Sequence, residues 1–396
     1  MREIPSQAIT DIVVVGGGVI GSSIAYHLAR AGARVRVFEQ ATPGVAPSAS
    51  WASAGGVRQQ GRDPREWLLT LEAGRRWPAL ADELGMPTGF VQGGHLHVVE
   101  SETDLAALRE RVAREQAAGM NVRMVDTPAI RDLAPALSES ALAGAYTPDD
   151  GQANPPMTTR AFAAAAQRHG AVYSTRTRVV SLQRERGRIT GVTTGTGTFS
   201  AEQTVLAAGA WTSRLAASVG LRLPIQVRGP QMLLTTPAPA MLAPTVTASG
   251  RALSLKQLPS GEYFIGGGWP SDVLEDAEGV ACRVRQESVA GSWAVATAVV
   301  PAVGSTSIAQ SWCGVEAEAV DGVPLIGPAP GYEGLYLAVG FSGHGFQISP
   351  AVGRAVADAL AGKATLELEE LSPGRDSLAA TYSPRVQGGM APLEFP

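Results

Sequence analysis

Cysteine and lysine are almost missing from this chain. Cys282 and Cys313 are its two cysteines among 396 residues. They form no CxxC motif, so neither a disulfide framework nor a cysteine-based metal motif is available. Such thiol poverty suits a reducing compartment, and a cytoplasmic protein is expected. Of the 32 basic residues only Lys256 and Lys363 are lysine, so each has to be accounted for individually. A basic excess is missing too: the formal charge is -4 and the pI about 5.8, which argues against nucleic acid as a partner. Long apolar runs are absent, since "FAAAA" and "WAVATAVVPAV" fall far short of the roughly 20 residues of a spanning helix. The opening "MREIPSQAITDIVVVGGG" has no basic segment followed by a long apolar stretch, so neither a transmembrane segment nor an export signal is expected. The five histidines join no recognisable Ser/His/Asp, Cys/His or metal constellation. His95 and His97, two apart on a predicted strand, share a face that could hold a metal, but no third ligand is apparent and no metal site is expected.

Hydrophobic residues make up 45% of the chain, enough for a substantial core and, at this length, two domains. The strongest local pattern is "DIVVVGGGVIGSSIAYHLARAGARVRVFEQ". Ile12 to Val15 is a β-branched run suited to a strand buried on both faces. Gly16, Gly18 and Gly21 then have GxGxxG spacing, and Ile24, Leu28 and Ala31 mark one face of a helix ending at Gly32. "RVRVFE" alternates as a second strand whose last residue, Glu39, lies 23 positions past Gly16. In such a βαβ unit the first glycine makes the turn and the second admits a pyrophosphate to the backbone. The third lets helix and strand approach, and the carboxylate meets a ribose.

Further along, 105–119 and 158–170 read as helices ending at glycine. A run of short strands from Val172 ends in the buried "TVLAAGA". Residues 223–322 are rich in proline, glycine and strand-like pieces such as "EYFIGGG", which suggests a largely antiparallel sheet. The chain returns to strand, glycine turn and helix in "GLYLAVGFSGHGFQISPAVGRAVADALAG". Residues after Pro373 read as an irregular tail. In "GFSGHGF" Gly340, Gly343 and Gly345 supply no side chain to a core, so the segment needs a tight turn or close approach of backbone to a ligand.

Taken together, "VVVGGGVIGSSIAYHLARAG", "SASWASAGGVRQQ", "VLAAGAWTSRL", "DGVPLIGPAP" and "GFSGHGFQISPAVGRAVADAL" resemble the D-amino-acid-oxidase-like superfamily of FAD enzymes, which includes glycine oxidase, sarcosine oxidase and dimethylglycine dehydrogenase. The resemblance spans nearly the whole chain. It implies an α/β fold with an antiparallel second part: a Rossmann-like FAD domain assembled from 8–86, 148–222 and 323–373, a substrate domain from 87–147 and 223–322, and a tail over 374–396. It also implies that Gly16, Gly18, Gly21 and Glu39, with Val19, Ile20 and Gln40 beside them, hold the ADP half of FAD. Val179 would offer a backbone contact to adenine. Ser48, Ser53, Ala54 and Gly55 would line the middle of the cofactor, and Ala208, Gly209 and Trp211 would lie near the pyrophosphate. Gly340, Ser342, Gly343, His344, Gly345, Phe346 and Gln347 would bring backbone donors and a helix amino end to the flavin.

Oxidation of an amine by flavin asks little acid–base chemistry of the protein; it needs orientation, a dry pocket and stabilisation of negative charge on the reduced ring. His344 either touches flavin or substrate or fills a packed bend. Arg58 is the favoured contact to flavin or to a substrate carboxylate, since a guanidinium can donate two parallel bonds. Tyr263 and Trp269 are candidates for the pocket wall, though core packing explains them as well. Against the sarcosine oxidase pattern, Gln347 stands in place of a carboxylate-holding lysine. Glu316 lies near a carboxylate-binding arginine of amino-acid oxidases, where an acid would attract a cationic group. Phe264 replaces the lysine that speeds reaction with oxygen, a loss that tilts the reading towards a dehydrogenase unless Lys256 substitutes. Cys313 lies one residue out of step with a flavin-linking cysteine and Ala52 replaces a flavin-linking histidine, so non-covalent FAD is favoured, with a link at Cys313 the alternative.

The resulting expectation is oxidation of a small primary or secondary amine, N-methylated, cyclic or of the D-amino-acid or glycine type, to an imine that water hydrolyses. Two alternatives are a catalytic FAD subunit of a multi-subunit amino-acid or opine dehydrogenase, passing electrons to a partner protein instead of O2, and a non-catalytic FAD-binding assembly factor. Monomer, homo-oligomer and heteromer all remain open.

Overall fold

The computed structural model describes residues 10–276, 279–363 and 366–381. The strand Thr10–Val15 lies between parallel neighbours, Val35–Phe38 and Gly197–Leu206. Val13 and Val14 are fully buried, as a central parallel strand covered on both faces requires. The sheet continues outward to Val172–Ser174 on one side and to Leu335–Val339 and Leu325–Pro328 on the other, with Arg188–Thr194 antiparallel to Gly197–Leu206 and Val179–Glu185 antiparallel to Arg188–Thr194. Its strands therefore come from three separated stretches of chain.

Helix Val19–Arg30 packs against Pro155–Arg168 and Gly345–Leu360, and Trp67–Arg76 packs on the last of these. The contact between Val19–Arg30 and Gly345–Leu360 is close enough to demand glycine. A Cβ on Gly353 would stand 2.6 Å from the Ser23 carbonyl carbon, and Ser23 Oγ donates to Ser349 O at 2.8 Å. Pro350, inside the helix, has no N–H for the Phe346 carbonyl, and Ser349 Oγ donates to that carbonyl at 2.8 Å. The helices expected over 158–170 and 105–119 both begin three residues earlier, at Pro155 and Glu102. Asn154 and Ser101 cap them, and prolines fill the first turn of the former, where an N–H has no intrahelical partner.

A second eight-stranded sheet has the order Ile308–Cys313, Gln231–Pro237, Glu262–Gly266, Arg251–Gln257, Thr245–Ala248, His95–Val99, Ala143–Thr147, Arg123–Asp126. All neighbours are antiparallel except Thr245–Ala248 and His95–Val99. Helix Gln286–Val299 covers one face over Leu233, Leu255 and Ile265.

Residues after Pro373 correct the expectation of an irregular tail. Asp376–Thr381 is a helix, Leu378 is buried, and Arg375 donates to both carboxylate oxygens of Asp321 and to the carbonyls of Val323 and Pro324. Arginine can tie a terminal segment this way because its planar fork satisfies several acceptors at once. The remainder of the tail, 382–396, lies outside the described residues. Among the described residues no helix is long and apolar enough to cross a membrane.

Candidate active site

A cavity of about 1370 Å³ runs from the glycine turn at the end of Thr10–Val15 to the face of the second sheet. That exceeds the roughly 300–1,000 Å³ of a site for one drug-sized ligand, and leaves room for a dinucleotide and a small molecule together. At one end, Gly16 has φ +106° and a Cβ there would lie 2.4 Å from Ala207 O; a Cβ on Gly21 would lie 2.0 Å from Gly16 O. Both positions therefore exclude any side chain. Gly16, Gly18, Val19 and Ile20 line the cavity, whereas Gly21 lies outside the lining and seats the helix on the turn. No side chain of residue 18 caps helix Val19–Arg30, whose amino end adjoins the cavity. The Val19 N–H donates to Ser50 Oγ at 2.9 Å. Glu39 closes this end, accepting from the N–H groups of Gly17 at 2.7 Å and Ala41 at 2.8 Å, with Gln40 beside it and Val179 on the wall.

Along the middle, Ser48 caps the short helix Ala49–Ala52, Ser53 Oγ accepts from Gly55 N, and Ala54 joins the lining. Gly55, at φ +68°, passes so close to Ala153 O that a Cβ would sit 2.3 Å from it. Ala208, Gly209 and Trp211 form the turn after Gly197–Leu206 and also line the wall. Opposite them runs 340–346. Gly340, Ser342 and Gly343 have φ of 74°, 50° and 80°. Ser342, the non-glycine in this left-handed set, accepts from Ala319 N and donates to Gly340 O. The turn delivers His344, Gly345 and Phe346 to the cavity at the amino end of Gly345–Leu360, again without a side-chain cap.

The far end is polar. His344 Nδ1 lies 3.0 Å from Oε1 of Glu66, which is fully buried. Burial, with Arg62 nearby, holds the imidazole below its ordinary pKa. In the neutral tautomer that donates Nδ1–H to Glu66 Oε1, Nε2 is left as an acceptor. Glu316 lines the cavity beside Gly343; burial and neighbouring Glu318 push its carboxyl up to about 7, against the pull of the Gly343 amide. Arg58 follows the strand Gly56–Val57 into the same region. Burial, then the charges of Arg62 and Arg111, bring its guanidinium down to about 9.

Several expected residues do not converge here. Gln347 is buried, donates to Thr70 O at 3.0 Å and lies outside the cavity lining, because it faces helix Trp67–Arg76. Tyr263 lies in the core beneath Gln286–Val299. Lys256 pairs across strands with Phe264, its Nζ 5.1 Å from the ring centroid, outside the lining. Cys313 and Trp269 are outside it too. Conversely, four lining residues were not singled out as substrate contacts: Arg62, Arg111, His95 and His97. His97 bonds Thr247 Oγ1 at 2.8 Å and Ser249 Oγ at 3.0 Å, and burial lowers its pKa to about 3, so it is neutral. The i, i+2 spacing of the histidines announced a shared face; nothing in the sequence set Arg62 and Arg111 apart from the other arginines.

The glycine cradle, an uncapped helix end at each of two turns and a carboxylate at the strand end fit a bound FAD, since only backbone can approach its phosphates and ring at these points. A family model described as FAD dependent oxidoreductase matches residues 11–359. The chain is 32% identical over 362 residues to glycine oxidase from Geobacillus kaustophilus, covering 90% of this chain and 94% of that one. The solved structure of glycine oxidase from that organism superposes with a TM-score of 0.82 at 29% identity, covering 93% of this chain and 99% of that one. That of L-proline dehydrogenase from P. horikoshii gives 0.83 at 28%, covering 92% and 97%. By the match of the family model over most of its length and by a cavity that fits the cofactor, the chain belongs to the FAD dependent oxidoreductase family.

Proposed function

We propose that the protein oxidises a small amino acid carrying a primary or secondary amine, of the N-methylated, cyclic or glycine type, to an imine. The observation that carries this is Arg58: it lines the cavity beside the 340–345 turn and makes no ion pair with a carboxylate among the described residues. The buried acids Asp150 and Glu115 act on this guanidinium without ion-pair contact, which leaves it able to take up an anion, and two parallel hydrogen bonds to a carboxylate would fix the substrate's orientation. FAD held between the Gly16–Gly18 turn, Glu39 and the 340–346 turn would supply the hydride acceptor for the carbon beside the nitrogen. Water then adds to the resulting C=N bond, and the C–N bond breaks to release a carbonyl compound and an amine. His344, held by Glu66 and with Nε2 as an acceptor in the tautomer that donates to it, would take the proton that leaves the substrate nitrogen. The N–H groups of the 340–345 turn would face developing negative charge on the cofactor. Glycine oxidase and L-proline dehydrogenase, the named relatives, support this substrate class.

The cofactor is read as non-covalent, because Cys313 lies outside the lining and Ala52 offers no nucleophile. An FAD domain from 8–86, 148–222 and 323–373 and a substrate domain from 87–147 and 223–322 are supported by the division of the strands between the two sheets. The test is anaerobic titration of the purified flavoprotein with a panel of amines. Bleaching of the flavin by an amino acid is expected, and no bleaching by any member defeats the reading. Arg58→Ala should raise KM for carboxylate-bearing amines about 10- to 100-fold, and an unchanged KM would discard the clamp.

A further inference from the structure

Glu66 lies behind the cavity wall. It ends the single turn Pro64–Glu66 and precedes helix Trp67–Arg76, whose amino end its side chain does not cap. That side chain is fully buried and outside the cavity lining, while the His344 ring it meets is 25% exposed at the side chain and lines the cavity. The carboxylate therefore reaches the site only through the imidazole, by the 3.0 Å contact of Oε1 with Nδ1. Its other oxygen, Oε2, has no hydrogen-bond partner among the described residues. Two further buried acids of this region are placed differently. Asp150 accepts from the N–H and Nε2 of Gln59, all at 3.0 Å, and Glu115 accepts from Gly61 N at 2.6 Å and pairs with Arg111 at 3.7 Å. Among the described residues the Glu66 carboxylate has a single hydrogen-bond partner, and it is the histidine.

The charges around the pair decide what a base at this point requires. Burial aside, Arg62 and then Arg58 are the cations that act on His344, and both oppose a proton on it. Among the described residues neither makes an ion pair with Glu66. Arg65, next to Glu66 in the chain, pairs with Asp63 and Asp321 instead. Glu316 meets the turn at the Gly343 amide, one residue before His344. Helices Trp67–Arg76 and Gly345–Leu360 bring only neutral groups together behind the pair: Gln347 donates to Thr70 O at 3.0 Å, and Trp77 donates to Gln347 O at 2.8 Å. An imidazole alone among these arginines would be a poor base, because another positive charge would have to form beside them in a water-poor site. A carboxylate 3.0 Å from Nδ1 reverses that balance, since charge arriving at Nε2 is matched across the ring.

Resting on the amine-oxidation reading above, we propose that Glu66 is the positioning residue that makes His344 a base, so that the site takes its amine in the protonated form and removes the proton inside the cavity. In this step an N–H bond of the substrate ammonium breaks as an N–H bond forms at Nε2. Nδ1–H stays on Glu66 Oε1, and an imidazolium–carboxylate pair replaces the ammonium charge. The lone pair left on the substrate nitrogen is what hydride loss from the neighbouring carbon requires. With an ordinary amine pKa of about 10, a site that accepted the free base alone would meet about one molecule in a thousand at pH 7.

The test is anaerobic flavin reduction of the holoenzyme by glycine, N-methylglycine and proline at pH 7 and pH 10. Glu66→Gln keeps the size of the side chain and removes its charge. It should slow reduction about 100-fold at pH 7 and about threefold or less at pH 10, where about half of the amine arrives as free base. His344→Gln should give the same pair of ratios, and the double variant should be no slower than either, because residues that act as one unit lose their function once. Glu66→Asp, which retains the charge, should restore part of the rate at pH 7. A readout free of turnover is the ¹⁵N NMR spectrum of the His344 ring in the oxidised holoenzyme, identified by its loss in His344→Gln: the proton is expected on Nδ1, and a proton on Nε2 overturns the proposal. Equal slowing of Glu66→Gln at both pH values, no slowing at either, or additive losses in the double variant overturns the role of Glu66 and leaves amine oxidation standing. Where Glu66→Gln fails to retain FAD, Glu66→Asp takes its place, with the same two pH values and the same overturning outcomes. Flavin reduction by none of the three amino acids in the parent overturns amine oxidation and this role with it.

Discussion

Lys256 stands opposite Phe264 with its ammonium 5.1 Å from the ring centroid and no acidic partner among the described residues. Burial lowers its pKa from 10.5 to about 7. Between those two values the unfolded chain binds a proton that the native one lacks, so stability from this group rises with pH across the window; below about pH 7 both states are charged and the full cost of the buried charge is incurred. Lys256→Met should therefore raise the thermal midpoint at pH 6.5 by about 2–4 °C and give almost no gain near pH 10.5. Melting curves at the two pH values check this, and an equal gain at both would show that packing, not charge, is responsible. Scarcity singled Lys256 out in the sequence, yet it lies outside the cavity lining, as does Gln347. Alignment fixes a position along a helix and not its facing. One step from Phe346, which lines the cavity, turns the side chain about 100° around the axis and into Thr70.

At the level of elements, the glycine turns were legible because their chemistry is local. A φ of +106° at Gly16 and positive φ at Gly340 and Gly343 leave glycine as their trace in the sequence. The helix Asp376–Thr381 left no such trace, since its place is set by long-range contacts with 321–324 and Arg65. Arg375 is 6% exposed at its side chain and pairs with Asp321, at 9%. Burial raises the Asp321 carboxyl, but its bonds to Arg375 outweigh that and leave it below the ordinary range. Because the folded value is depressed, this stabilisation is present above the unfolded pKa of about 4 and is lost as pH falls through the folded value. Arg375→Ala should cost about 1.5–3 kcal/mol at pH 7, because Asp321 loses one of two arginine partners while Arg65 stays 3.0 Å from its Oδ2. The difference from the parent should shrink as pH drops below 4. Urea unfolding at pH 7 and pH 3 measures it, and a constant difference would show that the arginine acts through its carbonyl contacts alone.

For the whole molecule, the antiparallel pairing of strands in 223–322 was legible in its composition, whereas the meeting of Arg58 and Arg111 was not. Residue 111 reaches residue 58 only because helix Glu102–Ala117 packs beside the second sheet, a juxtaposition that exists in the fold and not along the chain. The cavity has the same character. Its wall takes Gly16 and Glu39 from the first sheet, Ser48 to Gly55 from a connecting segment, and Thr247 and Ser254 from the second. FAD bound along it would touch all three and so act as part of the core that joins them. A ligand that binds the folded state alone stabilises by RT ln(1 + [L]/Kd), about 2.7 kcal/mol at a hundredfold excess over Kd. Flavin-free protein should therefore melt lower than the holoprotein, and its midpoint should climb with each increment of added FAD. Gly16→Val should abolish that climb, because its side chain would have to occupy a point 2.4 Å from Ala207 O, where the turn now leaves only backbone. A midpoint that ignores FAD in the parent chain would mean that the two sheets hold together without the cofactor, and that the cavity contributes to binding and not to the stability of the fold.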